Sequence, residues 1–223
     1  MARAQVDEME FEYETFGRPS DPAVLLVMGL GAQLIHWPER FCQMLAEGGY
    51  RVIRFDNRDA GLSTKFDGVE VDFLGLVAAA LEGQKVVNAP YDLSDMAKDG
   101  FGILDELGIE EAHVVGASLG GMIAQTMAID EPERVTSLTS IMSATGSREV
   151  VDIPDDSLGL LLAPAPSERS EYLDYSANYA IWCSKKYFDA DLAREYAAAS
   201  YDRSYYPDGS GRQIAAVLAS GDR

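Results

Sequence analysis

The sequence predicts an α/β fold, with a mostly parallel sheet flanked by helices and a helical region in its C-terminal third. Three observations carry this expectation. Short apolar runs such as Ala23–Met28, AVLLVM, have the length and continuity of strands buried on both faces. Such runs alternate with helical patterns as far as residue 142, which implies right-handed β–α–β crossovers. From Glu168 onward the pattern becomes helical and aromatic. The expected division is a core over residues 1–146 and a helical cap over residues 147–223.

Gln5 to Phe16 alternates loosely and reads as an antiparallel strand or hairpin at a sheet edge. After a Gly-Pro-rich turn comes the strand Ala23–Met28, then a loop at Gly29-Leu30-Gly31-Ala32. Pro38 opens a helix that turns Phe41, Leu45 and Met44 inward and ends at Gly48-Gly49. Tyr50–Phe55 is the next strand and delivers the polar turn Asp56-Asn57-Arg58-Asp59-Ala60-Gly61-Leu62-Ser63. A short helix is expected over Phe73–Leu81. Asp92 is placed to cap a helix with Leu93, Met96, Phe101, Leu104 and Leu107 at helical spacing and Gly108 as its stop. His113–Val115 is a strand, followed by a helix that turns Leu119, Met122, Ile123, Thr126 and Met127 to one side. Arg134–Met142 reads as a further buried strand. Tyr172, Tyr175, Tyr179 and Trp182 recur near helical spacing, and helices are expected at Asp191–Ser200 and near Gly211–Ser220.

The 223 residues suffice for one domain with a sizeable core, and 47% hydrophobic with 25% charged residues describes an ordinary globular chain. A net charge of -19 argues against nucleic acid or an anionic membrane as partner. Cys42 and Cys183 stand outside any metal-binding spacing, so reduced thiols, no metal and no cofactor are expected. The N-terminus lacks a secretory pattern and no apolar run approaches a membrane span, which makes the cytoplasm the default location.

The stretch AHVVGASLGGMIA holds the chemistry. Gly116-Ala117-Ser118-Leu119-Gly120 is G-x-S-x-G between a strand and a helix, the pattern of a nucleophile elbow. A serine on such a turn stands clear of the sheet, and the crowded backbone around it requires residues without side chains at Gly116 and Gly120. The helix that follows would place its positive end at a developing oxyanion. The plainer alternative is a Gly/Ser-rich turn with no chemistry.

MGLGA after the first central strand, DNRDAGLS after the next, and GASLGG at the elbow together resemble the α/β-hydrolase family. The run LLVMGLGAQLIHWPERF…GGYRVIRFDNRDAGLST is most similar to the aclacinomycin methylesterase-like group, whose members cleave a methyl ester on large aromatic polyketides. The resemblance implies Ser118 as nucleophile and the backbone N–H groups of Leu119 and Leu30 as oxyanion donors. It implies a small-molecule ester as substrate. A thioesterase or a perhydrolase/haloperoxidase-like enzyme would share the same front half. A homodimer is compatible with it. Met28 stands where many relatives carry the His of an H-G dipeptide.

The family's chain order is Ser, acid, His. Here the only histidines are His36 and His113, and neither follows Ser118. His113 lies five residues before Ser118 on an extended strand, about 16 Å away. His36, beside the oxyanion loop, is a candidate substitute base or a cap contact. By resemblance, roughly 60–80 further residues with two strands, the Asp and the His are expected in a longer protein, and residues 135–142 then form an uncovered edge strand. A non-catalytic hydrolase-fold binding protein is the competing expectation. His36, Tyr175, Tyr179 and Trp182 are the candidate pocket residues. The aromatic set equally suits the packed underside of a cap. Arg54, Asp56 and Arg58 are expected to form a structural ion-pair network.

Overall fold

A computed structural model describes residues 2–72, 75, 76, 78, 79, 82, 88–147, 157, 159, 160, 163 and 165–221. Its sheet has six strands: β1 (Ala2–Val6), β2 (Met9–Phe16), β3 (Ala23–Val27), β4 (Arg51–Phe55), β5 (Ala112–Ala117) and β6 (Val135–Ile141). They lie in the order β1-β2-β4-β3-β5-β6. The β1–β2 and β2–β4 pairs are antiparallel, and β4, β3, β5 and β6 run parallel. The N-terminal hairpin thus forms one edge, as its alternation predicts.

The helices are α1 (Glu39–Glu47), α2 (Leu93–Glu106), α3 (Leu119–Asp130), α4 (Arg169–Tyr175), α5 (Ala190–Ser204) and α6 (Asp208–Ser220). Alternate residues of β3 feed two cores. Leu25 and Val27 meet α2 and α3 on one face, while Val24 and Leu26 meet Trp37 and Cys42 on the other. Every residue of β3 is buried, as a continuous apolar run in a parallel sheet requires. Asp92 caps α2: its carboxylate accepts from Asp95 N at 2.9 Å, and Asp95 accepts from Asp92 N at 3.1 Å.

Three expectations need correction. On α1 the buried residue is Cys42, whereas Phe41 and Met44 are exposed. Phe41 stacks instead on Trp37, with ring centroids 5.7 Å apart. The strand at 135–142 forms the expected uncovered edge of the sheet, and the buried reading of it is what fails: Thr136 to Ser140 are all exposed. Its Thr- and Ser-rich sequence suits that place. Arg54, Asp56 and Arg58 do not pair with one another. Each takes a separate partner, namely Glu14, Arg203 and Asp99. The helix expected over Phe73–Leu81 lies in part outside the described residues; Gly75, Leu76, Ala78 and Ala79 are helical.

The turn 56–63 is polar in sequence, yet all of it except Leu62 is buried. Asp56 accepts from Leu34 N at 2.6 Å and Leu62 N at 2.8 Å. Asp59 accepts from Phe66 N at 2.9 Å and from Tyr91 Oη at 2.7 Å. Gly61 is required here twice: its φ is +53°, and a Cβ would fall on the Asp56 carboxylate.

Glycines that abut backbone and glycines that face open space should respond oppositely to alanine. At Gly120 a Cβ would collide with the carbonyls of Val27 and Met28, whereas at Gly211, inside α6, nothing lies within 4 Å. Gly120→Ala is expected to lower stability by about 3 kcal/mol or more, and Gly211→Ala to raise it by about 0.5–1 kcal/mol. Urea midpoints of the two variants check this.

Candidate active site

Strand β5 ends at Ala117, and Ser118 takes φ 54° and ψ -120° before α3 begins. A non-glycine residue with positive φ is strained by about 1–3 kcal/mol and persists only where its surroundings fix it. They do so here. Ser118 N donates to the Ile141 carbonyl at 2.8 Å, and the Ser118 carbonyl accepts from Gly121 N at 2.9 Å. A Cβ on Gly116 would strike the backbone of Gly120 and Gly121, and one on Gly121 would lie 2.5 Å from Ser143 Cβ. The three glycines let strand, helix and the end of β6 meet behind the serine. Ser118 itself is partly exposed.

The loop after β3 passes over this turn. A Cβ on Gly29 would lie 3.1 Å from Ser118 Cβ and 3.7 Å from Ser118 Oγ, so the loop and the serine face each other. The loop is pinned by Asn57 Nδ2, which donates to the Met28 carbonyl at 2.8 Å. It closes a turn through Ala32 N to Gly29 O at 3.2 Å, and Gly31 N donates to Gln213 Oε1 at 2.8 Å. Among the described residues no acceptor takes the N–H of Leu30 or of Leu119. The N–H groups of Gly31, Ala32, Ser118, Gly121 and Met122 are engaged, while those of Gly29 and Gly120 share with Leu30 and Leu119 the lack of a described acceptor.

The two histidines are committed elsewhere. His113 Nδ1 lies 2.7 Å from Ser137 Oγ on β6, and its ring meets the edge of Tyr50. His36 ends a short 3-10 turn, Leu34–His36. Its Nδ1 lies 3.2 Å from Gln33 N, its Nε2 lies 3.4 Å from Ser200 Oγ on α5, and its ring stacks on Tyr196. Burial holds the His36 imidazole below its ordinary range. The Gln33 backbone and the nearby Asp56 charge oppose that shift, and Arg203 adds to it. His36 thus belongs to the joint between the core and α5. Gln33 joins it there, donating to the Ser200 and Ser204 carbonyls at 2.7 and 2.9 Å and so satisfying the C-terminal end of that helix.

The aromatic candidates form a ladder along one segment. Tyr175 meets Tyr179 edge-on, and Tyr179 stacks on Trp182. Tyr172 instead packs with Tyr201 and Tyr205. No hydrogen bond or ring contact of His36, Tyr175, Tyr179 or Trp182 among the described residues reaches Ser118. Sequence reasoning missed the contribution of α6. Arg212 forms a two-pronged pair with Asp59, both contacts at 2.9 Å, and buried Gln213 reaches the loop after β3. The signal available was an Arg-Gln pair beside the apolar stretch IAAVLA. Among the described residues no group of three or more His, Cys, Asp or Glu gathers as a metal site, and no helix is long and apolar enough to cross a membrane.

A family model described as the alpha/beta hydrolase fold matches residues 22–180. The chain is 36% identical over 136 residues to the Rhodomycin D methylesterase DauP of a Streptomyces species, covering 61% of this chain and 40% of that protein. It is 33% identical over 178 residues to the putative carbamate hydrolase RutD of Variovorax paradoxus, covering 79% of this chain and 59% of that one. Among solved structures, the 2-hydroxy-6-oxo-6-phenylhexa-2,4-dienoate hydrolase of a Rhodococcus species superimposes with a TM-score of 0.70 at 19% identity. That superposition covers 97% of this chain and 70% of the other. The chain therefore spans about 40% of the methylesterase it matches.

The joint at His36 sets a pH dependence. A histidine whose folded pKa lies below its ordinary 6.5 binds a proton more readily when unfolded. Its contribution to stability is present above that value and lost as the pH falls through and below it. Asp99 acts in the opposite sense, because burial pushes its carboxyl up to about 6 against the pull of Arg58. Comparing the parent with His36→Gln isolates the histidine. From about pH 7.5 to about pH 5.5 the parent should lose more stability than the variant, by up to about 1.4 kcal/mol per pH unit. Urea titrations at the two pH values measure the difference.

Proposed function

The chain belongs to the α/β-hydrolase fold family, and from that premise we propose that it is built for serine-dependent hydrolysis of carboxylic esters. Ser118 Oγ attacks the ester carbonyl carbon and gives up its proton to a base. The carbonyl oxygen becomes an oxyanion that the Leu30 and Leu119 N–H groups receive. Collapse of that intermediate expels the alcohol with a proton and leaves an acyl-serine, which water then cleaves to the acid. The observation that carries this reading is the pairing of a strained, partly exposed serine with two backbone N–H groups that no described acceptor takes.

The likeness to a methylesterase supports methyl esters as the substrate class, with methanol as leaving group. Eight of the eleven tyrosines lie between residues 172 and 206, and this aromatic concentration suits a bulky, flat acyl part.

One observation favours a second reading. The two histidines are held at Ser137 and at Ser200, and no described base contacts Ser118. With that arrangement the 223 residues bind and polarise an ester better than they turn it over, which is how a hydrolase-fold binding protein would behave.

Removal of the base from a Ser-His-Asp site costs about 10⁴- to 10⁶-fold in turnover. We expect the 223-residue chain to hydrolyse p-nitrophenyl and aromatic methyl esters at that reduced level, and to react slowly with a fluorophosphonate. Ser118→Ala should abolish both. Turnover that survives Ser118→Ala would overturn the serine mechanism. Ester binding that is unchanged in Ser118→Ala, with no turnover in either protein, would favour the binding protein.

A further inference from the structure

Helix α6 ends far from Ser118 in the chain, yet it reaches the loop that faces the serine. Gln213 is completely buried on this helix. Its Oε1 accepts from Gly31 N at 2.8 Å across 182 positions of sequence, and its Nε2 donates to the Arg58 carbonyl at 2.8 Å. One side-chain amide therefore joins the N–H of an exposed glycine and a buried carbonyl on two different loops. A hydrocarbon of the same size would leave the buried Arg58 carbonyl without this partner and release the Gly31 N–H from its clamp.

The contact is set from both sides. Gly31 has φ +62°, and a Cβ there would lie 2.5 Å from Ser210 Oγ, one turn before Gln213 on the same face of α6. The helix is in turn anchored to the turn 56–63. Arg212 grips Asp59 at 2.9 and 2.9 Å, and a Cβ on Gly209 would collide with the Asp59 backbone. The other end of the loop is held by Asn57 at the Met28 carbonyl. Between these two anchors the N–H groups of Gly29 and Leu30 have no acceptor among the described residues.

We propose that Gln213 is a positioning residue for the oxyanion loop. By engaging Gly31 N and Arg58 O together, it fixes the left-handed turn that keeps the adjoining Leu30 N–H free beside Ser118. The role rests on the reading of Ser118 as nucleophile and Leu30 as oxyanion donor. It assigns to helix α6 a part in the chemistry of a site otherwise built from residues 28 to 143.

The test compares Gln213→Leu and Gln213→Glu with the parent 223-residue chain. Glu keeps an acceptor for Gly31 N and loses the donor to Arg58 O. Two readouts are taken: hydrogen exchange of the Gly31 amide, and fluorophosphonate inactivation resolved into kinact and KI. In Gln213→Leu the Gly31 amide should exchange at least about tenfold faster, and kinact should fall at least about tenfold with KI within about twofold of the parent. Gln213→Glu should retain the Gly31 protection. Gly31 exchange and kinact within about twofold of the parent in Gln213→Leu would overturn the proposal. So would equal loss of Gly31 protection in both variants, because a merely structural role predicts it. Should Gln213→Leu not fold, Gln213→Met carries the same comparison. A parent that labels equally after Ser118→Ala would remove the nucleophile reading, and the Gly31 exchange would then decide the clamp by itself.

Discussion

Two fully buried carboxylates on one turn hold this molecule together. Asp56 and Asp59 stand three residues apart after β4, and between them they accept from three backbone N–H groups, a tyrosine hydroxyl and two arginines. A buried carboxylate without partners costs far more than a domain's stability margin allows, so each contact is obligatory rather than ornamental. The partners come from the loop after β3, the strap before α2, and helices α5 and α6. The turn thereby ties the loop that faces Ser118 to α5 and α6. The Tyr91 hydroxyl shows how firmly: burial, then the Asp59 charge, push its pKa upward, keeping it a hydrogen-bond donor.

The site itself depends on a second constraint, which is steric. Gly29, Gly116, Gly120 and Gly121 each sit where a methyl group would meet another part of the elbow. Their absence of side chains lets the β3 loop, the β5 terminus and the start of α3 converge within van der Waals contact. The strain at Ser118 is sustained by hydrogen bonds on both its flanks, to Ile141 and from Gly121.

Much of this was legible in the sequence because it is written locally. The strand runs, the Asp92 cap, the glycine stop at Gly108 and the elbow motif all operate within a few residues, and α/β alternation follows from them. What was not legible acts over long separations. Nothing in the polar string DNRDAGLS announces that it is buried, since its burial is created by arginines and a glutamine some 150 residues away. Phe41 and Met44 misled for a related reason. On a nine-residue helix a single buried position, Cys42, satisfies the packing, and the larger side chains are free to lie along the surface. The strand Val135–Ile141 reads as a strand whichever side is covered, and its edge position was expected from the family's layout rather than from its own residues.

The identity of the buried cations explains how so acidic a chain tolerates an ionic interior. The net charge of -19 resides in carboxylates that mostly face solvent, where repulsion is screened. Among the described residues the three buried aspartates, Asp56, Asp59 and Asp99, are each met by an arginine, namely Arg203, Arg212 and Arg58. None is met by a lysine. The guanidinium fork gives Asp59 and Asp99 two parallel hydrogen bonds each, and its remaining N–H groups reach backbone carbonyls at Val69 and Asp95. An ammonium could match the charge but not the directions. These pairs do more than neutralise. Each arginine comes from a different segment, so pairing the three aspartates also registers the turn 56–63 and helices α5 and α6 against the sheet. The electrostatic requirement of burying the turn and the geometric requirement of aligning the loop after β3 are therefore met by the same few side chains.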